Sequence, residues 1–221
     1  MRTFAIVPVK RFANAKQRLA DTLPARSRVA LMQAMVTDVL IALRRATLVD
    51  GVIVVTGEPI AEQIAVNYGA EVLSDPHDLG HSAAVAAGAQ WAVGRGAQRV
   101  LLVPGDCPIL DPEEIDGLLA VDPAQEGPSG PEVTIVPDRH GSGTNALVLS
   151  PPDVMEAAFG EGSRERHAAA AKTAGAAVYE AEPWSLLLDV DTGEDLERLR
   201  RHLDEHRGGA SHTRGLLPRI L

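Results

Sequence analysis

The sequence predicts an α/β fold, a three-layer arrangement in which a mostly parallel sheet carries helices on both faces. Three observations predict it. Short β-branched runs alternate with longer amphipathic stretches along the 221 residues, the order that builds parallel βαβ units. Aromatic residues make up only 3% of the chain, so the core must be assembled from Val, Leu, Ile and Ala, which suits a parallel sheet buried on both faces. Hydrophobic residues make up 45%, enough for one sizeable core and short of two full domains.

The strands expected in order are Phe4–Val9, Val52–Thr56, Ala70–Ser74, Arg99–Pro104, Val133–Val136, Asn145–Leu149 and Ser185–Val190. Between them the clearest helix is Ser27–Arg45, where Val29, Met32, Val36, Leu40 and Leu43 recur at helical spacing and form one apolar face. Further helices fit Pro59–Tyr68, Ser82–Val93, Pro112–Ala120, Ser163–Ala174 and Asp195–His206. The Pro-, Gly- and acid-rich stretch Asp122–Glu132 reads as an exposed loop. One domain is expected over residues 1–207, with 208–221 a mobile tail.

The formal charge of -9 and the lack of a basic block set nucleic acid aside, since duplex binding needs a cationic face. No apolar run approaches a membrane span. A lone cysteine, Cys107, rules out an internal disulfide and suits a reducing cytoplasm. It reads as a small packed residue, because the sequence sets no base beside it.

On open parallel sheets ligands collect at the carboxyl ends of strands, and five constellations fall at such ends or at turns. Directly after the first strand, Pro8-Val9-Lys10-Arg11 through Lys16-Gln17-Arg18 places four cations within nine residues. That is local charge suited to phosphates, or else a solvated basic loop, and it lacks the Gly-Lys-Ser/Thr of a Walker loop. Pro104-Gly105-Asp106-Cys107-Pro108 ends an apolar strand in a turn that presents one carboxylate, either a Mg²⁺ ligand or a turn residue. There Gly105 would let the backbone approach a ligand.

In Leu188-Asp189-Val190-Asp191-Thr192 the two acids stand two apart, so on a strand they converge on one ion. Alternatively, Asp191 or Thr192 caps the next helix with Asp195 reciprocating. His140-Gly141-Ser142-Gly143-Thr144 offers an anion nest with the Thr144 hydroxyl, or an ordinary hairpin turn. Around Gly160, Ser163 reads as an N-cap, either a plain cap or one whose helix amides, with Arg166 and His167, hold an anion. Gly80-His81-Ser82 either touches the nucleotide or caps a helix. His202 and His206 lack a zincin pattern and read as a solvated helix face.

The motifs Pro8-Val9-Lys10, Ala15-Lys16-x-Arg18-Leu19, Pro104-Gly105-Asp106-Cys107-Pro108, Gly143-Thr144-Asn145-Ala146-Leu147 and Leu188-Asp189-Val190-Asp191-Thr192 together resemble the 2-phospho-L-lactate guanylyltransferases. Actinobacterial relatives of that family use phosphoenolpyruvate. The likeness runs from about Thr3 to Leu203. It implies a nucleotidyltransferase fold related to that of GT-A glycosyltransferases. The implied activity joins GMP from GTP to a small phosphorylated carboxylic acid, with release of pyrophosphate, in biosynthesis of coenzyme F-420.

By matched motif, Asp106, Asp189 and Asp191 become the Mg²⁺ ligands and, with Lys16, the catalytic set. Pro8, Val9, Lys10, Lys16, Arg18, Gly80, Ser82 and Gly105 become nucleotide contacts, and Thr144, Gly160 and Ser163 hold the acid. A downstream enzyme that captures a labile product is the expected partner. Arg164 stands where many relatives carry an aromatic residue, a difference that bears on the acid. The Arg-, Ala- and Gly-rich composition is similar to the branch using phosphoenolpyruvate. A sugar-nucleotide enzyme on the same fold and a non-catalytic GTP sensor are the alternatives.

Overall fold

A computed structural model describes residues 1–14, 16–75, 77–78, 80–120 and 130–221. Along the chain run β1 (Thr3–Val9), α1 (Ala25–Arg45), β2 (Gly51–Thr56), α2 (Pro59–Asn67), β3 (Glu71–Ser74), α3 (His81–Val93) and β4 (Arg99–Leu102). There follow α4 (Pro112–Ala120), β5 (Glu132–Pro137), β6 (Thr144–Ser150), α5 (Ser163–Thr173), β7 (Ala177–Glu180), α6 (Gly193–Glu205) and α7 (Ser211–Ile220). The strands form one sheet in the order β3-β2-β1-β4-β6-β5-β7. Its pairings are parallel except where β6 runs antiparallel to β4 and β5.

β1 is the reason the sheet sits in the middle layer. All seven of its residues are buried, and alternate side chains serve opposite faces. Ala5, Val7 and Val9 pack with α1, α2, α4, α6 and α7. Phe4 and Ile6 pack on the other face with α3 and α5. Gly88 permits the close seating of α3, since a Cβ there would lie 2.5 Å from Ile6 Cγ2. On α1, Met32, Val36, Leu40 and Leu43 are buried as expected, and so are Leu31, Met35 and Val39. The second stripe is covered because α7 lies against α1.

Three sequence expectations need correcting. The segment 211–220, expected within a mobile tail, is helix α7. Its first amides, His212 N and Thr213 N, donate to the buried Asp38 carboxylate on α1 at 3.0 and 2.8 Å. Asp38 therefore caps a helix far along the chain, a contact no local reading contains. Ser185–Val190 is not a strand. A 3₁₀ turn occupies Trp184–Leu186, and the following segment docks beside β4 through Val190 N to Asp106 O at 3.2 Å. Its apolar run is core, with Leu186 and Val190 fully buried. The strand β7, absent from the expectations, adds an edge parallel to β5. Residues 122–129 of the expected loop lie outside the described residues, as does Ala15.

β1 feeds β2 and β3 on one side while β4 lies on its other side, so the strand order reverses at β1. The crevice at the carboxyl ends of β1 and β4 is the place where such sheets bind ligands. Because β6 is antiparallel, its first residue, Thr144, and the β5–β6 turn come to the same edge.

Candidate active site

An open cavity of about 710 Å³ lies at that edge, within the size range of small-molecule sites. Of the expected site residues, Lys10, Arg18, Asp106, Thr144, Gly160, Ser163, Asp189 and Asp191 line it. Lys16 sits just beneath. Its left-handed backbone (φ 54), uncommon for a residue with a side chain, turns the chain so that Nζ bonds Asp106 Oδ2 and lies 2.7 Å from Asp191 Oδ1. Burial works against the Lys16 charge, yet the two carboxylates outweigh it and raise its pKa. Lys16 is a fixed cation between two acids.

The acids differ in their surroundings. Burial, and then Asp106 and Asp191, raise the Asp189 pKa. Against its burial, Lys16, Arg18 and Arg139 lower that of Asp191. Asp106 Oδ1 is buried without a hydrogen-bond partner, which is costly unless a ligand satisfies it. Among the described residues no three His, Cys, Asp or Glu side chains group closely enough to hold a metal unaided. Mg²⁺ ordinarily takes one or two carboxylates and completes its shell with water and phosphate oxygens. The donor set thus fits a cation arriving with a nucleotide rather than a prebuilt cage.

The cap question resolves in favour of Thr192. Its hydroxyl accepts from Asp195 N at 3.3 Å, and Asp195 Oδ2 accepts from Thr192 N at 2.8 Å. The same carboxylate takes Asp191 N at 3.1 Å and bonds Arg139 through its other oxygen. Asp191 is left free for Lys16 and the cavity. Arg139, which lines the cavity with Lys10 and Arg18, was missed by the sequence reading. Its signal was a cation beside the glycine-rich turn, one residue before the stretch singled out. Asn145 was missed too; its Nδ2 donates to Leu186 O at 2.7 Å and reaches Asp189 Oδ1 at 3.4 Å.

Several assignments change. The turn at Gly141 and Ser142 is no open nest, because Gly141 N donates to Asp138 O at 2.9 Å and Ser142 N to Asp138 Oδ1 at 3.0 Å. Ser163 is not the N-cap; Gly162 holds that position without a side-chain bond. The Ser163 hydroxyl instead donates to Thr144 Oγ1 at 3.2 Å. His167 adds no charge, since burial and then Arg166 lower its pKa to about 4.

Gly105 faces inward, where a Cβ would lie 3.2 Å from Val36 Cγ2, so its size serves packing against α1. Pro8 and Val9 are buried in the end of β1 and support Lys10 from below. Ser82 Oγ accepts from Phe159 N at 3.3 Å, which binds α3 to the 158–160 segment; its neighbour His81 is the residue of Gly80-His81-Ser82 that lines the cavity. Arg164 turns away to Glu180 and the Gly141 carbonyl. Burial raises the Cys107 pKa well above the ordinary thiol value, in keeping with a packed residue.

A sheet with a cationic loop after its first strand, Asp106 beyond the neighbouring strand and two more acids on the segment docked beside it defines a nucleotidyltransferase-like class. Solved structures agree on the fold. A Desulfovibrio desulfuricans G20 protein assigned to the nucleotide-diphospho-sugar transferases superposes with a TM-score of 0.75 at 19% identity, covering 99% of this chain and 95% of that one. A nucleotidyl transferase from Methanothermobacter superposes at 0.64 and 19% identity, with 92% and 98% covered.

The family model described as "Guanylyl transferase CofC like" matches residues 3–216, and the chain belongs to that family of nucleotidyltransferases. The phosphoenolpyruvate guanylyltransferase of Conexibacter woesei is 50% identical over 221 residues, 100% of this chain and 97% of that protein. The 2-phospho-L-lactate guanylyltransferase of Methanothermobacter thermautotrophicus is 32% identical over 220 residues, with 100% and 92% covered. No helix among the described residues is long and apolar enough to cross a membrane.

Proposed function

We propose that this guanylyltransferase moves GMP from GTP onto phosphoenolpyruvate in a Mg²⁺-dependent step of coenzyme F-420 biosynthesis. The observation that carries the reading is one cavity lined by two chemically different sets of residues. Asp106, Asp189 and Asp191, the first and last of them bonded to Lys16, make one set, and Thr144, Gly160 and Ser163 make the other. The choice of acid rests on the 50% identical relative. Arg164, the departure from the family pattern, is bonded outside the cavity and so does not argue against it.

A phosphate oxygen of the acid attacks the α-phosphorus of GTP. One P–O bond forms there while the α–β bridging bond breaks, and pyrophosphate leaves with the electron pair. The attacking phosphate is already ionised near neutral pH, so no protein nucleophile is needed, and catalysis is positioning plus charge neutralisation. Carboxylates drawn from Asp106, Asp189 and Asp191, together with phosphate oxygens of the nucleotide, would hold Mg²⁺, which would supply Lewis-acid polarisation of those oxygens. Lys10, Arg18 and Arg139 offer cations to the phosphates, and Lys16 keeps the acids from repelling one another. The product carries a P–O–P diphosphate link between the acid and guanosine, with the acid's own carboxylate close enough to attack it, which supports a downstream enzyme that captures it.

Phosphoenolpyruvate labelled with ¹⁸O in its phosphate tests the direction of attack by mass spectrometry. Label retained in the guanylylated product, with none in pyrophosphate, is expected. Label in pyrophosphate refutes the scheme.

A further inference from the structure

Among the described residues His167 is the one histidine buried completely, and the reaction as written gives it no task. Its surroundings fix its protonation. Nε2 accepts from the backbone N–H of Ala158 at 2.9 Å, which requires a lone pair there. A neutral ring then carries its proton on Nδ1 and donates it to Thr144 Oγ1, 3.0 Å away. Ser163 Oγ donates to the same oxygen at 3.2 Å. A hydroxyl has two acceptor sites and one proton. With both acceptor sites of Thr144 filled, its proton is left to donate to whatever occupies the cavity that Thr144 lines.

The same ring also holds a second stretch of the cavity lining. Ala158, whose amide it accepts, is followed by Phe159 and Gly160, both of which line the cavity. The Phe159 ring stands edge-to-face against His167 at 5.1 Å and against His81 at 4.5 Å. Arg166 secures the segment from outside through Ala158 O at 3.0 Å. One side chain thus joins β6 to the 158–160 segment, and both contribute residues to the cavity lining.

We propose that His167 is a positioning residue for the acid substrate: it makes the Thr144 hydroxyl an obligate donor and sets its distance from the 158–160 segment. A fixed donor favours a phosphate or carboxylate oxygen and disfavours a ligand that offers a proton there. The inference rests on the assignment of Thr144, Gly160 and Ser163 to the acid.

Two replacements separate the two bonds. His167→Asn places an amide donor near Nδ1 and keeps the bond to Thr144, whereas His167→Gln places its amide near Nε2 and keeps the bond to Ala158. Steady-state kinetics with GTP and phosphoenolpyruvate, with folding checked by circular dichroism, read the outcome. His167→Gln is expected to raise KM for the acid by about tenfold, as for one lost hydrogen bond, while KM for GTP stays within about twofold. His167→Asn recovers most of that loss. Adding Thr144→Val to His167→Gln costs little more, since the two residues act through one bond.

An unchanged KM for the acid in both single variants, or equal rises for both substrates, overturns the inference. Wild-type protein that turns over no acid overturns the acid-site reading, and this inference with it. Normal wild-type turnover beside unaffected variants overturns the inference alone.

Discussion

Acidification from pH 7 to about 4.5 should destabilise this protein through His167. An unfolded histidine titrates near 6.5, whereas burial and then Arg166 lower the folded value to about 4. Between those values the unfolded chain binds the extra proton and the folded one does not, so stability falls as pH falls. The loss begins as pH drops through about 6.5 and is complete near 4, where both forms are protonated. At about 1.4 kcal/mol per pH unit of pKa difference, roughly 2–3 kcal/mol is gone by pH 4.5.

For a chain of this length that corresponds to a Tm lower by roughly 5–10 °C. Carboxylates titrate in the same range, so the informative quantity is the difference from His167→Gln, which cannot take up the proton. Urea or thermal unfolding of both proteins across pH 4.5–7 measures it. The wild type should lose about 2–3 kcal/mol more than the variant. Parallel losses would show that His167 is not held neutral, and the hydrogen-bond assignment around Thr144 would fall with it.

Asp106→Asn and Asp189→Asn should each lower turnover by about 10²-fold or more while the fold survives; pyrophosphate release and circular dichroism check this, and near-normal turnover would remove that residue from the metal set. Gly88→Ala should destabilise in urea unfolding by up to about 2 kcal/mol: the new methyl meets Ile6 Cγ2 at 2.5 Å, and overpacking outweighs the roughly 1 kcal/mol helix-propensity gain. A more stable Gly88→Ala protein would mean that α3 is not seated so closely. Asp38→Ala should cost about 1–2 kcal/mol through loss of the α7 cap and speed tryptic cleavage after Arg207; unchanged proteolysis would contradict the cap.

Local signals carried most of the fold. β1 declared itself as an unbroken apolar run because both of its faces are covered, and α1 through its helical periodicity. What stayed hidden depends on contacts between distant parts of the chain. α7 follows a Gly-Gly pair and contains Gly215 and Pro218, so it reads as a tail until Asp38 is seen to cap it. Ser185–Val190 looks like a strand because core segments share strand composition, but among the described residues no strand pairs with it.

The same division holds in the candidate site. Asp106 beyond β4 and the cationic loop beyond β1 could be read from position, since the topology delivers those ends to one edge, whereas Asp189 and Asp191 arrive on a segment that is not a strand. The Lys16 placement depends on a left-handed backbone, and the neutrality of His167 depends on burial between β6 and the 158–160 segment. Neither is a property of neighbouring residues in sequence.

The most direct test of the reaction is pyrophosphate release from GTP and Mg²⁺ with phosphoenolpyruvate, 2-phospho-L-lactate or 3-phosphoglycerate, run with and without a capturing enzyme. Release that depends on phosphoenolpyruvate is expected. Measurable GTP binding with no release from any of the three acids, or release with a sugar 1-phosphate instead, would contradict the account.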